Sequence, residues 1–230
     1  MSALTISVIS SMATRQLLAD LAADWQQRSG CVVKVESVGG VDAARRVEAG
    51  EGFDVVVLAL DTINKLIKTG QIVADSKTDL VNSGVSVCVQ AGAVLPDIGS
   101  ETALKNTVLA AKSIGYSTGP SGVALVKLFE HWGISDRVLP HCVQAPAGVP
   151  VASLVARGDV ELGFQQLSEL LFVEGISIVG PLPEAVQINT TFSAGLCAAS
   201  TQPDAVRQFL AFLLSPDTAE AKCRKGMLSA

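Results

Sequence analysis

Short apolar runs that end in a small-residue turn and pass at once into a helical pattern recur along this 230-residue chain, and that recurrence limits the folds open to it. Asp54 to Leu60 is the plainest case: an acid, six apolar residues, then Asp61-Thr62 and a helical pattern that stops at Gly70. A strand that is apolar on both sides is buried on both faces, as in parallel sheets covered by helices. Leu4 to Ile9 opens a similar unit. Ser10 and Ser11 are its N-cap candidates, and Leu17, Leu18, Leu21 and Trp25 recur at helical spacing after them. Gly30 closes that helix, and Val32 to Val38 supplies a strand ending in Gly39-Gly40 before a helix over Asp42 to Glu48.

The alternation then resumes with a change of character. Val85, Val87 and Val89 alternate with Ser86, Cys88 and Gln90, the pattern of a strand that is polar on one side. Strands are expected over Lys112 to Tyr116, His141 to Gln144, Val160 to Phe164 and Ile176 to Val179. The helices between them are Val123 to Trp132, Val151 to Ala156 and Ser168 to Val173, with Pro150 as a first helical residue and Gln165-Gln166 leading into the last of them. Gln187 to Phe192 reads as a return crossover, Ala194 to Ala199 as a strand, and Gln202-Pro203-Asp204 and Ser215-Pro216-Asp217 as two helix starts. The fold expected is α/β: two Rossmann-like lobes with mixed, mainly parallel sheets joined by two crossover strands. Lobe 1 takes residues 1–83 and 189–230, lobe 2 residues 84–188, with a ligand cleft expected between them.

Charge and composition remove several function classes. With 17 basic against 22 acidic residues and no run of Lys or Arg longer than two, no nucleic-acid surface is expected. Aromatic residues make up only 4%, too few for base or sugar stacking. No apolar run approaches the roughly 20 residues that span a bilayer, so membrane insertion is not expected. Met1 leads straight into the first strand without a signal-peptide pattern, which makes a cytoplasmic location the expectation and a periplasmic one the alternative if a signal has been removed. Cys31, Cys88, Cys142, Cys197 and Cys223 are odd in number and scattered, which suits reduced structural thiols rather than a disulfide framework or a metal site.

In open α/β sheets ligands bind beyond the carboxyl ends of the strands, and there the turns share a character. Ser10-Ser11, Gly39-Gly40-Val41, the stretch Ser117, Thr118, Gly119, Pro120, Ser121, Gly122, and Gly148-Val149-Pro150-Val151 are small, uncharged and placed before helices. Glycines let the backbone approach a ligand, hydroxyls donate, and free amides at a helix start carry partial positive charge. The expected partner is a small anion. The phosphate-loop ending and the dinucleotide glycine spacing are both missing, so neither a nucleotide nor any other cofactor is expected, and no metal-ligand spacing is present. Gln165 and Gln166 add candidate amide contacts from the second lobe. For each of these turns the plain alternative is a conformational role only.

Thr5 to Trp25, Arg45 to Gly50 with Asp54 to Val57, and Pro216 to Gly226 resemble the molybdate-binding-protein group of type II solute-binding proteins. That resemblance implies an oxyanion held between two lobes by amides and hydroxyls, with Ser10 or Ser11, Gly39-Gly40-Val41, Ser121, Val149 and Gln166 in contact. Two glycines stand where hydroxyls are usual, and Gln166 where a tyrosine is. Tyr116 to Gly122, Gly163 to Leu170 and Gly180 to Pro183 are more similar to a branch of that superfamily which includes aconitate isomerase. This implies a di- or tricarboxylate ligand and a 1,3-proton shift as an alternative activity. A transporter partner is implied only for an exported protein.

A proton shift needs a base close to carbon, and the sequence names none outright. His131 and His141 sit away from the expected cleft, while Glu169 and Asp42 are first-turn acids of the kind that complement a helix dipole. Arg45 and Arg46 could bring a guanidinium near a carboxylate or could be exposed helix charge.

Overall fold

The computed structural model describes residues 4–230. In chain order β1 (Thr5–Ser11), α1 (Arg15–Ser29), β2 (Val32–Val38), α2 (Gly40–Glu48), β3 (Val55–Ala59) and α3 (Leu60–Lys68) lead into the long strand β4 (Thr78–Gln90). There follow α4 (Glu101–Ala110), β5 (Ile114–Tyr116), α5 (Pro120–His131), α6 (Ser135–Val138), β6 (Cys142–Gln144), α7 (Val151–Ala156), β7 (Leu162–Gln166), α8 (Leu167–Leu170) and β8 (Ile176–Pro181). The chain closes with β9 (Asn189–Leu196), α9 (Pro203–Leu214), α10 (Ala219–Arg224) and β10 (Met227–Ser229). The α/β class with mixed sheets is as expected. The chain divides into two compact units, one running to Asn82 and resuming over Thr191–Ala230, the other Ser83–Thr190.

In the first unit β1 pairs in parallel with β2 and with β3, and β9 runs antiparallel to β3. Successive residues of β3 serve opposite faces. Val55 and Val57 join Leu17, Leu18 and Leu21 of α1 and Phe209 and Leu213 of α9, whereas Val56 and Leu58 join Ala43, Val47, Ile63 and Leu66 of α2 and α3. Both faces are dry, which is why this strand reads as one unbroken apolar run. Asp54, just before it, ties the unit together: its carboxylate accepts from the Ser7 amide at 2.8 Å, Ser7 Oγ at 2.8 Å, Ser200 Oγ at 2.6 Å and Gln202 Nε2 at 2.9 Å.

In the second unit β7 lies antiparallel to β4, β5 lies parallel to β7, and β6 lies parallel to β5. One face packs Val85, Val87, Leu162 and Phe164 on Leu104, Val108, Leu125 and Phe129; the other packs Cys88 on Val151 and Val155 of α7. That second face relies on two glycines. A Cβ on Gly163 would stand 2.6 Å from Val155 Cγ2 and 2.8 Å from Cys88 Sγ, and one on Gly115 would stand 2.9 Å from Val151 Cγ1. Helix α7 can therefore lie against the sheet only because side chains are missing there.

Several element boundaries differ from the sequence reading. Ser10 and Ser11 belong to β1, paired with Ser37 and Val38, and α1 begins only at Arg15 after one 3-10 turn; Ser11 makes no capping bond. Pro150 is the N-cap of α7, not its first residue. Helix α5 starts at Pro120, three residues before the expected Val123, so Ser121 and Gly122 lie inside it. Gln165 and Gln166 end strand β7. No disulfide joins the cysteines, and burial pushes the Cys88 and Cys197 thiols up to about 12, which keeps both unreactive. Among the described residues no helix is long and apolar enough to cross a membrane.

Candidate functional site

In the first unit the candidate residues meet at the start of α2. Gly39 is the N-cap and its carbonyl accepts from the Ala43 amide at 2.9 Å, while the amides of Gly40 and Val41 have no protein partner among the described residues. Against this start lies Ser11. A Cβ built on Gly40 would be 3.8 Å from Ser11 Cβ and 3.9 Å from Leu58 Cδ2. The Ser11 hydroxyl is buried and has no hydrogen-bond partner. A buried hydroxyl left unpaired costs about 1 to 3 kcal/mol. Ser10 differs, since its Oγ is paired with Ser37 Oγ at 2.7 Å. The two arginines that follow are spoken for: Arg46 pairs with Glu36 and Glu51 and lies over the Phe53 ring, and exposed Arg45 pairs with Asp42. Neither is a free cation at the α2 start.

In the second unit the stretch Ser117 to Gly122 forms a tight entry to α5. Ser117 Oγ and Ser121 Oγ are 3.2 Å apart, Gly119 is the N-cap, and its carbonyl accepts from the amides of Gly122 at 3.0 Å and Val123 at 3.2 Å. Thr118 is part of the same turn. Of the fourth turn, the Val149 amide is already bonded to the Pro146 carbonyl at 2.9 Å, and the Val151 side chain is wholly buried in the core. The paired serines and helix start are thus gathered in one turn, while the Val149 amide is already bonded within the protein and the Val151 side chain belongs to the core.

Gln165 and Gln166, neighbours on β7, point to opposite faces of their strand. Gln165 Oε1 accepts from the Ala152 amide at 3.3 Å and its Nε2 donates to Glu169 Oε1 at 2.8 Å. Gln166 Nε2 donates to Thr190 Oγ1 at 2.8 Å, and its Oε1 is buried without a partner. Ser83 and Ser168 also bury unpartnered hydroxyls. Val85↔Gln166 is the last pair of the β4–β7 ladder; Ser83 comes two residues before Val85 on β4, and Ser168 two residues after Gln166 on α8. Sequence reading missed Ser83 and Ser168, because a single serine signals nothing until burial is known.

Burial also changes the reading of Glu169. It pushes this carboxyl up to about 7, against a smaller downward pull from the Gln165 bond. The folded chain therefore holds this proton over a range where the unfolded chain has released it, and stability falls as pH rises from about 4.5 to about 7. Glu169→Gln is expected to remove that loss: the variant matches the parent at pH 4 and exceeds it by about 3 kcal/mol at pH 8 in urea denaturation.

The family profile described as bacterial extracellular solute-binding protein matches residues 6–228. The chain belongs to the bacterial extracellular solute-binding proteins. One curated relative of this solute-binding protein is an aconitate isomerase from Pseudomonas sp, 35% identical over 223 residues that cover 94% of this chain and 85% of the relative. Among solved structures, the periplasmic molybdate-binding protein of Azotobacter vinelandii superposes with TM-score 0.81 at 18% identity, covering 98% of this chain and 99% of that one. The sulfate-binding protein of Mycobacterium tuberculosis H37Rv gives TM-score 0.78 at 15% identity over 97% of this chain and 86% of its own. At those identities the two structures speak for the fold alone.

Proposed function

We propose that this solute-binding protein captures a small organic anion of the di- or tricarboxylate class through backbone amides and hydroxyls rather than side-chain cations. The observation that carries this is the buried, unpartnered Ser11 hydroxyl beside the free amides at the start of α2. Within the second unit the Ser117–Ser121 pair with Thr118, Gly119 and Gly122 is a helix start of the same small, uncharged character. Each exposed helix start contributes about 0.3 to 1 kcal/mol toward an anion and partly buried ones more. Glycines where a hydroxyl wall would be tight leave room for carboxylates.

A thermal-shift panel of citrate, aconitate, molybdate and sulfate tests the proposal, since a ligand that binds the folded state raises the melting temperature by mass action. Carboxylates are expected to raise it. A panel without any shift sinks the reading, and a shift with molybdate or sulfate alone sinks the carboxylate class. Ser11→Ala should raise the stability of the ligand-free protein by about 1 kcal/mol, because an unpaired buried hydroxyl is removed, and should weaken ligand binding about tenfold by calorimetry.

A second reading is an isomerase that shifts a proton on a small tricarboxylate. The relationship to an aconitate isomerase favours it. A receptor for a membrane transporter must be exported, so a purely cytoplasmic location on fractionation of the native host would count against that role.

A further inference from the structure

The second reading requires a group that moves a proton to and from carbon, and the neighbourhood of Gln165 supplies one. Glu169 sits on α8 one turn beyond the end of β7, the element packed against that helix, and β7 itself carries no charged residue. One oxygen of its carboxyl is fixed: Oε1 accepts from Gln165 Nε2 at 2.8 Å. Gln165 cannot swing away, because it is buried and its other end accepts from the Ala152 amide at 3.3 Å. The remaining oxygen, Oε2, has no hydrogen-bond partner among the described residues, and Glu169 is not wholly buried. A base needs this arrangement, one atom held in place by a rigid partner and one atom free. Simple capping of a helix dipole would not need the amide relay that Gln165 makes between Ala152 and Glu169. The raised affinity of this carboxyl for its proton also suits a group that must both accept and return one near neutral pH.

We propose that Glu169 is the catalytic residue that carries the proton in a 1,3-allylic shift on an unsaturated tricarboxylate, with Gln165 as its positioning residue. The proposal rests on the isomerase reading. In the step, Glu169 Oε2 takes a proton from the methylene carbon beside the double bond. The electron pair of the broken C–H bond becomes the new double bond, and the old double-bond pair takes a proton back from Glu169 at the far carbon, the carboxyl having exchanged its proton with solvent in a share of the turnovers. Charge in between spreads over the substrate's own carboxylates. One C–H bond breaks and one forms, nothing is oxidised or reduced, and no co-reactant is consumed.

The test follows cis- and trans-aconitate by absorbance and by proton resonance in D2O, on the parent protein and on Glu169→Gln, Glu169→Asp, Gln165→Ala and the exposed control Glu174→Gln. Binding of the same acids is measured on each by calorimetry. For the parent, turnover with deuterium appearing at the two carbons is expected. Glu169→Gln should lose turnover and exchange by a hundredfold or more while binding aconitate within about threefold of the parent, since the amide keeps the bond to Gln165 but accepts no proton. Glu169→Asp should recover part of the rate, and Gln165→Ala should lower kcat more than it changes KM. A parent protein that binds aconitate without turnover overturns the isomerase reading and this proposal with it. A parent that turns over while Glu169→Gln keeps more than a tenth of its rate overturns the assignment of Glu169 and leaves the isomerase reading standing.

Discussion

Replacing Gly122 by alanine is expected to destabilise the protein by about 4 kcal/mol or more, enough to threaten folding of the second unit. The reason is backbone, not side chain. A Cβ at this position would stand 1.8 Å from the Ser117 carbonyl oxygen and 2.9 Å from its carbonyl carbon, and no rotamer change relieves a clash with main chain. Relief requires opening the turn, which separates Ser117 from Ser121 and releases the bond from the Gly122 amide to the Gly119 carbonyl. Gly119→Ala is the matched control. Its φ of -78 suits any residue, and the nearest atom to an added Cβ is Ser117 Oγ at 3.6 Å. Urea denaturation of the two variants should show the control within about 0.5 kcal/mol of the parent. Equal losses would mean that the turn tolerates a methyl at Gly122 by shifting, and that its tightness is not what holds α5 in place.

Asp54→Ala carries the second large expectation, a loss of about 4 kcal/mol, because it strands the Ser7 amide and the side chains of Ser7, Ser200 and Gln202 without their shared acceptor. Asp54→Asn should cost less, since one acceptor oxygen remains. Burial pushes this carboxyl up, but the bonds from Ser200, Ser7 and Gln202 outweigh it and hold it below its ordinary value. Stability drawn from Asp54 is thus present at neutral pH and lost as pH falls through that lowered value. An acid titration of the melting temperature should accordingly be flatter for Asp54→Asn than for the parent, and parallel curves would place the acid sensitivity elsewhere.

What the sequence disclosed tracks how much of each signal is local. Val32 to Val38 is read to the residue because a valine-rich run and the flanking turns define it without help from the rest of the chain. Gly30 and Gly70, marked as stops, both take positive φ. Helix α4 went unread. Its only wholly buried residues are Leu104 and Val108, and Thr102, Asn106 and Thr107 are weak helix formers; what starts it is Ser100, whose side chain accepts from the Ala103 amide. Gln165 and Gln166 read as a helix approach because amide side chains carry no strand signal, and only the pairing of β7 with β4 makes them strand. At the candidate site, the small-residue turns were visible as types, but Glu169 was not distinguishable from an ordinary first-turn acid. Its role depends on burial and on Gln165, both products of tertiary packing.

The opposed glutamines of β7 have a consequence for the accuracy with which this strand must be threaded. The two side chains are chemically identical, so a slip of one residue against β4 would set one glutamine in the other's place and move Leu167 or Phe164 into the place it left. The neighbours forbid it: the slip would bring Leu162 or Phe164 to the spot where Gly163 leaves no space beside Val155 and Cys88. An absent side chain two positions upstream thus acts as the keyway that decides which amide faces the acid.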